Sequence, residues 1–355
     1  MKNIESESQQ LIEKALALHA TDIHLHPREK HTELVFRIHG TLQQMFTVNK
    51  QYSERLIAHF KFRAGMDIGE QRRPQDGSFL LKNTSPPVSL RFSTLPSYRR
   101  ESLSIRLLPQ NYSYMLPGLT FAPNVISYFY SLISHTSGMI VLTGPTGSGK
   151  TTSLYAFMNE LKKLYDSRIV SMEDPVEVRN DAFIQTEVNE KAGLSYMQLL
   201  KSSLRHDPDV LMIGEIRDQE TAKLAIRATL SGHLVLTTMH AGSPRGAINR
   251  MLDFGCSKTD LEETLLCLTS QELSPRYCPF CQTDSCSLYC NRNKHSSRLA
   301  LFDILGGSQL QHTLSSNLTD DISLTFSKKD QIIKGWALGL FSDAGFKRGR
   351  YIKHE

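Results

Sequence analysis

With 355 residues, 40% of them hydrophobic and 22% charged, the chain exceeds one typical domain and has the composition of ordinary globular cores; two domains and a small appendage are expected. A formal net charge of +5 carried by scattered basic residues points only weakly to nucleic acid or an anionic membrane surface. No apolar run reaches the length of a membrane span and the amino end, M-K-N-I-E-S-E-S, is unlike a signal peptide, so a cytoplasmic protein is expected, with six cysteines serving as thiols or metal ligands.

Leu11, Ile12, Ala15, Leu16 and Leu18 form a helical stripe in the opening stretch, up to about Ala20. Residues 22–26, 33–37, 88–92 and 103–107 alternate apolar and polar as half-buried strands do. Between them, Leu56, Ile57, Phe60 and Ala64 mark a helix over residues 52–65. This mixture predicts a small α+β domain over residues 1–108. Residues 109–118, P-Q-N-Y-S-Y-M-L-P-G, read as a linker because of their prolines and terminal glycine. Over residues 119–273 the pattern becomes α/β: apolar strands at 139–143, 168–172, 210–214 and 234–238 alternate with helical segments at 151–164, 196–204 and 220–230. That alternation predicts a mostly parallel sheet with helices on both faces. Residues 274–355 begin cysteine-rich, turn helical and end in a basic tail.

Gly144, Pro145, Thr146, Gly147, Ser148, Gly149, Lys150 and Thr151 spell a complete G-x-x-x-x-G-K-[ST] string, followed by Thr152. It lies between a predicted buried strand and a predicted helix. In that setting glycines let backbone N–H groups close around phosphate oxygens, the helix directs its positive end at the same anion, Lys150 reaches the outer phosphates and the Thr151 hydroxyl can ligate Mg²⁺. A nucleoside triphosphate is the expected ligand.

Hydrolysis also needs a carboxylate to polarise water and further groups to complete the metal shell. The run Val210-Leu-Met-Ile-Gly-Glu215 offers a buried strand ending in an acid, with Gly214 where an aspartate is more usual. The acidic cluster Glu173, Asp174 and Glu177 follows another apolar strand, so its carboxylates reach the same sheet edge; Thr151, Asp174 and Glu215 are the expected Mg²⁺ ligands. His233 and His240 bracket the strand L-V-L-T-T-M and are further catalytic candidates, against the more common reading of hydrogen-bonded structural histidines.

The strings G-P-T-G-S-G-K-T-T, E-D-P-V-E, L-R-H-D-P-D-V-L-M-I-G-E-I-R-D and G-H-L-V-L-T-T-M-H, in this order, resemble the Walker A, Asp box, Walker B and His box of the type II secretion and type IV pilus assembly ATPases. A-T-D-I-H, M-D-I-G-E-Q-R-R-P-Q-D-G-S and E-S-L-S-I-R-L-L-P extend the resemblance through the amino domain. The resemblance implies a RecA-like P-loop ATPase domain behind a PAS-like α+β domain. It also implies a homohexameric motor, peripheral to the inner face of the cell membrane, that acts on a polytopic membrane platform protein. By position, Glu215 would be the catalytic glutamate, and Arg91 and Arg106 would be offered to the nucleotide. Two departures stand out: the family's R-x-D-G is Arg37-Ile-His39-Gly40, and its Q-R-L is Gln271-Glu272-Leu273. Short length and a compact cysteine cluster make the chain most similar to the motors that assemble the competence pseudopilus of Gram-positive bacteria, used in DNA uptake.

The cysteine spacing Cys278-x₂-Cys281-x₄-Cys286-x₃-Cys290 suits a structural tetrahedral Zn²⁺, whereas Cys256 and Cys267 fall outside it and read as packing residues. Two other functions are consistent with a phosphate loop. A nucleic-acid translocase would need a basic stripe interleaved with aromatics, which is absent, so direct nucleic-acid binding is not expected. A nucleotide-sensing scaffold without turnover would not need Glu215.

Overall fold

The computed structural model describes residues 3–38, 40–98, 100–110, 114–284, 290, 298–316 and 322–350. Two compact units emerge, one of the described residues up to Gln110 together with Cys290, and one of the other described residues from Tyr114 onward.

The first unit opens with helix α1 (Ile4–Ala17), started by Asn3, whose side chain accepts from the Glu5 backbone N–H. Strands β1 (Ala20–Pro27), β2 (His31–Ile38) and β3 (Thr41–Asn49) follow, then helix α2 (Lys50–Arg63) and strands β4 (Gln75–Leu81), β5 (Val88–Pro96) and β6 (Glu101–Pro109). They form one antiparallel sheet in the order β3-β2-β1-β6-β5-β4. Its apolar side chains meet Leu11, Ile12 and Ala15 of α1 and Leu56, Ile57 and Phe60 of α2 in a single core. Phe92 anchors it, with its ring 5.4 Å from Phe60 and stacked at 5.1 Å on Phe79. Because strands alternate faces, burying Leu90, Phe92, Ile105 and Leu107 turns Arg91 and Arg106 to the opposite face. The register then aligns four charged residues in one row across the sheet: Arg37 opposite Asp22, Asp22 opposite Arg106, and Arg106 opposite Arg91.

The second unit contains α3 (Pro123–Ile133), β7 (Gly138–Thr143), α4 (Lys150–Tyr165), β8 (Ile169–Glu173), β9 (Ile184–Glu187), α5 (Tyr196–Ser203), β10 (Val210–Ile213), α6 (Gln219–Leu230), β11 (Leu234–Met239), α7 (Pro244–Asp253), α8 (Lys258–Thr264), β12 (Leu265–Pro275), β13 (Arg298–Gly306), α9 (Gly307–Ser315), α10 (Lys328–Ala337) and α11 (Asp343–Arg350). The sheet order is β13-β12-β7-β11-β10-β8-β9, with every pairing parallel except β12 with β13. All residues of β7, β8, β10 and β11 are buried, as expected for strands covered on both faces.

The chain is α/β as its sequence indicates, but the carboxy-terminal region is not separate from the sheet. Residue 273 lies inside β12, and β13 pairs with β12 along its length, so the segment after 273 supplies an edge of the same sheet. Cys256 and Cys267 are buried, and burial pushes both thiols up from their ordinary range. No described helix is long and apolar enough to cross a membrane.

Candidate nucleotide site

Four central parallel strands deliver their carboxyl ends to one edge of the second sheet, where ligands bind in open α/β folds. From β7 the chain enters the loop 144–149, and α4 begins at Lys150. Gly144 has φ of 139°, and a Cβ there would lie 2.4 Å from the Gln271 carbonyl oxygen, so a glycine is required on both counts. The Lys150 Nζ donates to the carbonyls of Gly144 at 2.7 Å and Pro145 at 3.1 Å. Burial lowers its pKa, opposed by the charge of Glu215. Ser148 Oγ is buried without a hydrogen-bond partner among the described residues. A glycine-rich turn, a helix N-terminus, a partly desolvated lysine and an orphaned hydroxyl together suit an anionic, oxygen-rich ligand.

Glu215 follows β10 and enters this edge from the adjoining strands. Its Oε1 lies 3.2 Å from His240 Nε2, beyond the end of β11, and its Oε2 accepts from Arg217 Nε at 2.8 Å. Arg217 also donates from Nη1 to Asp174 Oδ2 at 3.3 Å, linking the acids that follow β8 and β10. Gly214, where an aspartate is more usual, is crowded: a Cβ there would lie 2.9 Å from the Tyr196 hydroxyl and 3.0 Å from the Met172 carbonyl oxygen, so both would have to give way.

A family model described as Type II/IV secretion system protein matches residues 1–333. The chain belongs to that family. The competence protein ComGA of Bacillus subtilis is 42% identical over 356 residues, an alignment that covers 100% of this chain and 99% of that one. The competence protein ComGA of Halalkalibacterium halodurans is 46% identical over 318 residues, 89% of this chain and 91% of that one. The type II secretion system protein E of Klebsiella pneumoniae is 40% identical over 274 residues, covering 77% of this chain and 55% of its own. Among solved structures, the Legionella pneumophila ATPase DotB matches in fold with a TM-score of 0.75 at 19% identity, covering 96% of this chain and 94% of that one. The pilus retraction motor PilT matches with 0.69 at 22%, covering 96% of each.

Within this secretion-family chain, the acids of the Asp box occupy different environments. Asp174 is exposed and Glu177 half-buried, but Glu173 is only 3% exposed. Its carboxylate accepts from the Tyr155 hydroxyl at 2.8 and 3.0 Å, from Ser171 Oγ at 2.8 Å and from Gln185 Nε2 at 3.2 Å. Burial raises its pKa and these donors oppose the shift. Glu173 is thus enclosed in a network that ties β8 to α4 and β9, which suits positioning rather than contact with water or metal. His233 needs a correction. It precedes β11 while His240 follows it, so seven residues of extended chain put the two roughly 20 Å apart, at opposite edges of the sheet. There His233 Nδ1 is engaged by the Ala228 carbonyl at 2.9 Å and the Ser231 hydroxyl at 3.1 Å, outside the cluster at Glu215.

In the first unit, Arg106 Nε donates to Asp22 Oδ1 at 3.0 Å, and Arg37 Nε lies 3.7 Å from Asp22 Oδ2. The expected arginines Arg91 and Arg106 are thus neighbours, with one of them held by an aspartate. His39 lies outside the described residues.

Arg217 and Gln271 carry geometry that motif reading passed over. Arg217 sits inside the quoted string E-I-R-D, two residues after the acid it binds. Gln271 is 2% exposed; its carbonyl abuts Gly144 and its Oε1 accepts from Ser153 Oγ at 2.9 Å, so it braces the loop and the first turn of α4. The neighbouring departure, Glu272, faces Lys328 Nζ at 3.8 Å, and Lys328 also pairs with Asp303 at 3.2 Å.

The thiol sulfurs of Cys278, Cys281 and Cys290 all lie within 4.8 Å of one another. Thiolates on a tetrahedral zinc, at Zn–S of about 2.3 Å, stand roughly 3.8 Å apart, so the three fit one ion. Cys286, the expected fourth ligand, lies outside the described residues.

Proposed function

We propose that the chain is a Mg²⁺-dependent ATPase that works as a homohexameric motor and drives assembly of a competence pseudopilus for DNA uptake. The observation that carries the reading is 42% identity to a competence protein across the full length, with the phosphate-loop lysine and Glu215 both at one sheet edge. The loop 144–149 and the N-terminus of α4 hold the phosphates. Lys150 exchanges its two loop carbonyls for phosphate oxygens. Glu215, oriented by His240 and Arg217, polarises the attacking water. Thr151, Asp174 and Glu215 would hold Mg²⁺, which neutralises charge on the phosphates when bound. Glu173 and Glu177 support the geometry of that edge. In the working ring, Arg91 and Arg106 meet the developing charge on the γ-phosphate. The motor acts from the cytoplasmic side on a polytopic membrane protein.

Assembly is tested by measuring phosphate release per chain against protein concentration, together with particle mass. The rate per chain should rise as particles of six chains accumulate, and Arg106→Ala should lower that rate about 10³-fold, as loss of an arginine finger does. A monomer with full, concentration-independent activity would contradict the ring.

Cys278, Cys281 and Cys290, with Cys286 as the expected fourth thiolate, would hold a structural Zn²⁺ remote from hydrolysis. Metal analysis of reduced protein should find about one zinc per chain, and Cys278→Ser with Cys281→Ser should remove it while ATP binding persists. Zinc-free protein, freshly prepared under reducing conditions, would eliminate this site.

A further inference from the structure

The first unit contains a cavity of about 80 Å³ that the proposed ATPase chemistry does not use. Helix α2 forms one wall, with Ser53, Ile57, Ala58 and Lys61, and Arg100 and Glu101 close it from the start of β6. Two polar groups dominate the interior. Lys61 is 1% exposed, and its Nζ donates to Glu101 at 2.9 and 3.1 Å and to the Glu70 carbonyl at 2.6 Å. Those contacts use the donors of Lys61 and both oxygens of Glu101. Arg100 differs: its Nη1 is buried with no hydrogen-bond partner among the described residues. The acid it pairs with, Glu54, has an oxygen 3.9 Å from Nε and a side chain 52% exposed. The nearby hydroxyls bond elsewhere, Thr32 Oγ1 donating to Ser53 Oγ and Ser53 Oγ to the Lys50 carbonyl, and neither accepts from Arg100 Nη1.

A buried guanidinium nitrogen without an acceptor is costly, and the group that relieves it best is an anionic oxygen. The cavity has space for more than a single water, for which about 10–15 Å³ is enough, yet it is about half the size of an apolar cavity that holds benzene. The occupant therefore has about three heavy atoms inside the wall, the size of one carboxylate group. Pro27, Ile57 and Ala58 make part of that wall apolar, and Ile68, 44% exposed, forms an apolar lip. We propose that this cavity is a binding site for a carboxylate on a short alkyl stem, anchored on Arg100 Nη1, with Glu54 turning outward to admit it. The same chemistry is available from a free short-chain acid and from a glutamate side chain of a partner protein.

Calorimetric titration of the full chain tests this without any readout of ATP turnover. The probes are sodium propionate and a capped glutamate-containing peptide, with sodium chloride at matched ionic strength as the control. One of the two carboxylates should bind saturably at one site per chain, and chloride should not. Arg100→Ala should weaken that binding by at least about ten-fold, as expected for loss of one charge-assisted hydrogen bond. Ala58→Phe should abolish it by filling the cavity while Arg100 stays in place. Tighter binding of propionate identifies a metabolite-type ligand, and tighter binding of the peptide identifies a docking pocket for an acidic side chain; either supports the site. Absence of saturable binding by both, or affinities unchanged in both folded variants, would overturn it.

Discussion

Glu215→Gln is expected to lower ATP turnover by at least about a hundred-fold, the usual contribution of a positioned base, while Mg²⁺–ATP affinity stays within a few-fold of wild type. The geometry separates the two functions. Glu215 lies past β10, with one oxygen facing His240 at 3.2 Å and the other bound by Arg217 at 2.8 Å, so its orientation is fixed from both sides. The amide of glutamine keeps the shape but removes the charge that polarises water. Lys150→Ala should behave in the opposite way and lose nucleotide affinity, because Lys150 Nζ rests on the loop carbonyls that frame the phosphate position. Equilibrium binding of a fluorescent ATP analogue and steady-state phosphate release separate the two variants. If Glu215→Gln turned over at a rate within about ten-fold of wild type, Glu215 could not be the base.

Gly144→Ala should be the most damaging single-methyl change at the site. The residue holds φ of 139°, where an L side chain is strained, and the new Cβ would lie 2.4 Å from the carbonyl of Gln271. Backbone against backbone leaves no flexible side chain to yield, so the loop must shift away from β12. Strain of this kind costs about 1–3 kcal/mol, enough to lower the melting temperature by several degrees. Because the same shift moves the phosphate cradle, ATP affinity should fall by at least about ten-fold. Gly147→Ala is the control: φ is 78°, but a Cβ there meets nothing within 4 Å, so its effect should be the smaller. Equal affinities for the two variants, measured by equilibrium binding, would show that Gln271 does not brace the loop.

The central strands are legible because β7, β8, β10 and β11 are buried on both faces and so are nearly continuous apolar runs. β12 escapes that logic. Its sequence includes Thr269, Ser270 and Gln271, which read as a polar segment, yet all three are buried. Hydrogen bonds make this tolerable for two of them: Ser270 Oγ donates to the Gly242 carbonyl and Gln271 Oε1 accepts from Ser153 Oγ, whereas the Thr269 hydroxyl is buried without a partner among the described residues. Periodicity cannot anticipate such long-range partners. The acids of the Asp box illustrate the same limit, since only the packing of Tyr155 against β8 distinguishes enclosed Glu173 from exposed Asp174. His233 was open to a simple geometric test, because residues that bracket a six-residue strand cannot share one of its ends. In the first sheet, alternation turns Arg91 and Arg106 away from the core, but only register places them side by side with Asp22 next in the row.

The central claim is that the edge formed by loop 144–149 and Glu215 hydrolyses ATP with Mg²⁺. The most direct test is phosphate release by the purified wild-type full chain supplied with ATP, with Mg²⁺ present and then removed by a chelator. Sustained release with Mg²⁺, lost on chelation and restored when Mg²⁺ is returned, is the predicted result. Tight ATP binding with no release at any protein concentration would contradict the claim and leave a nucleotide-binding scaffold in its place.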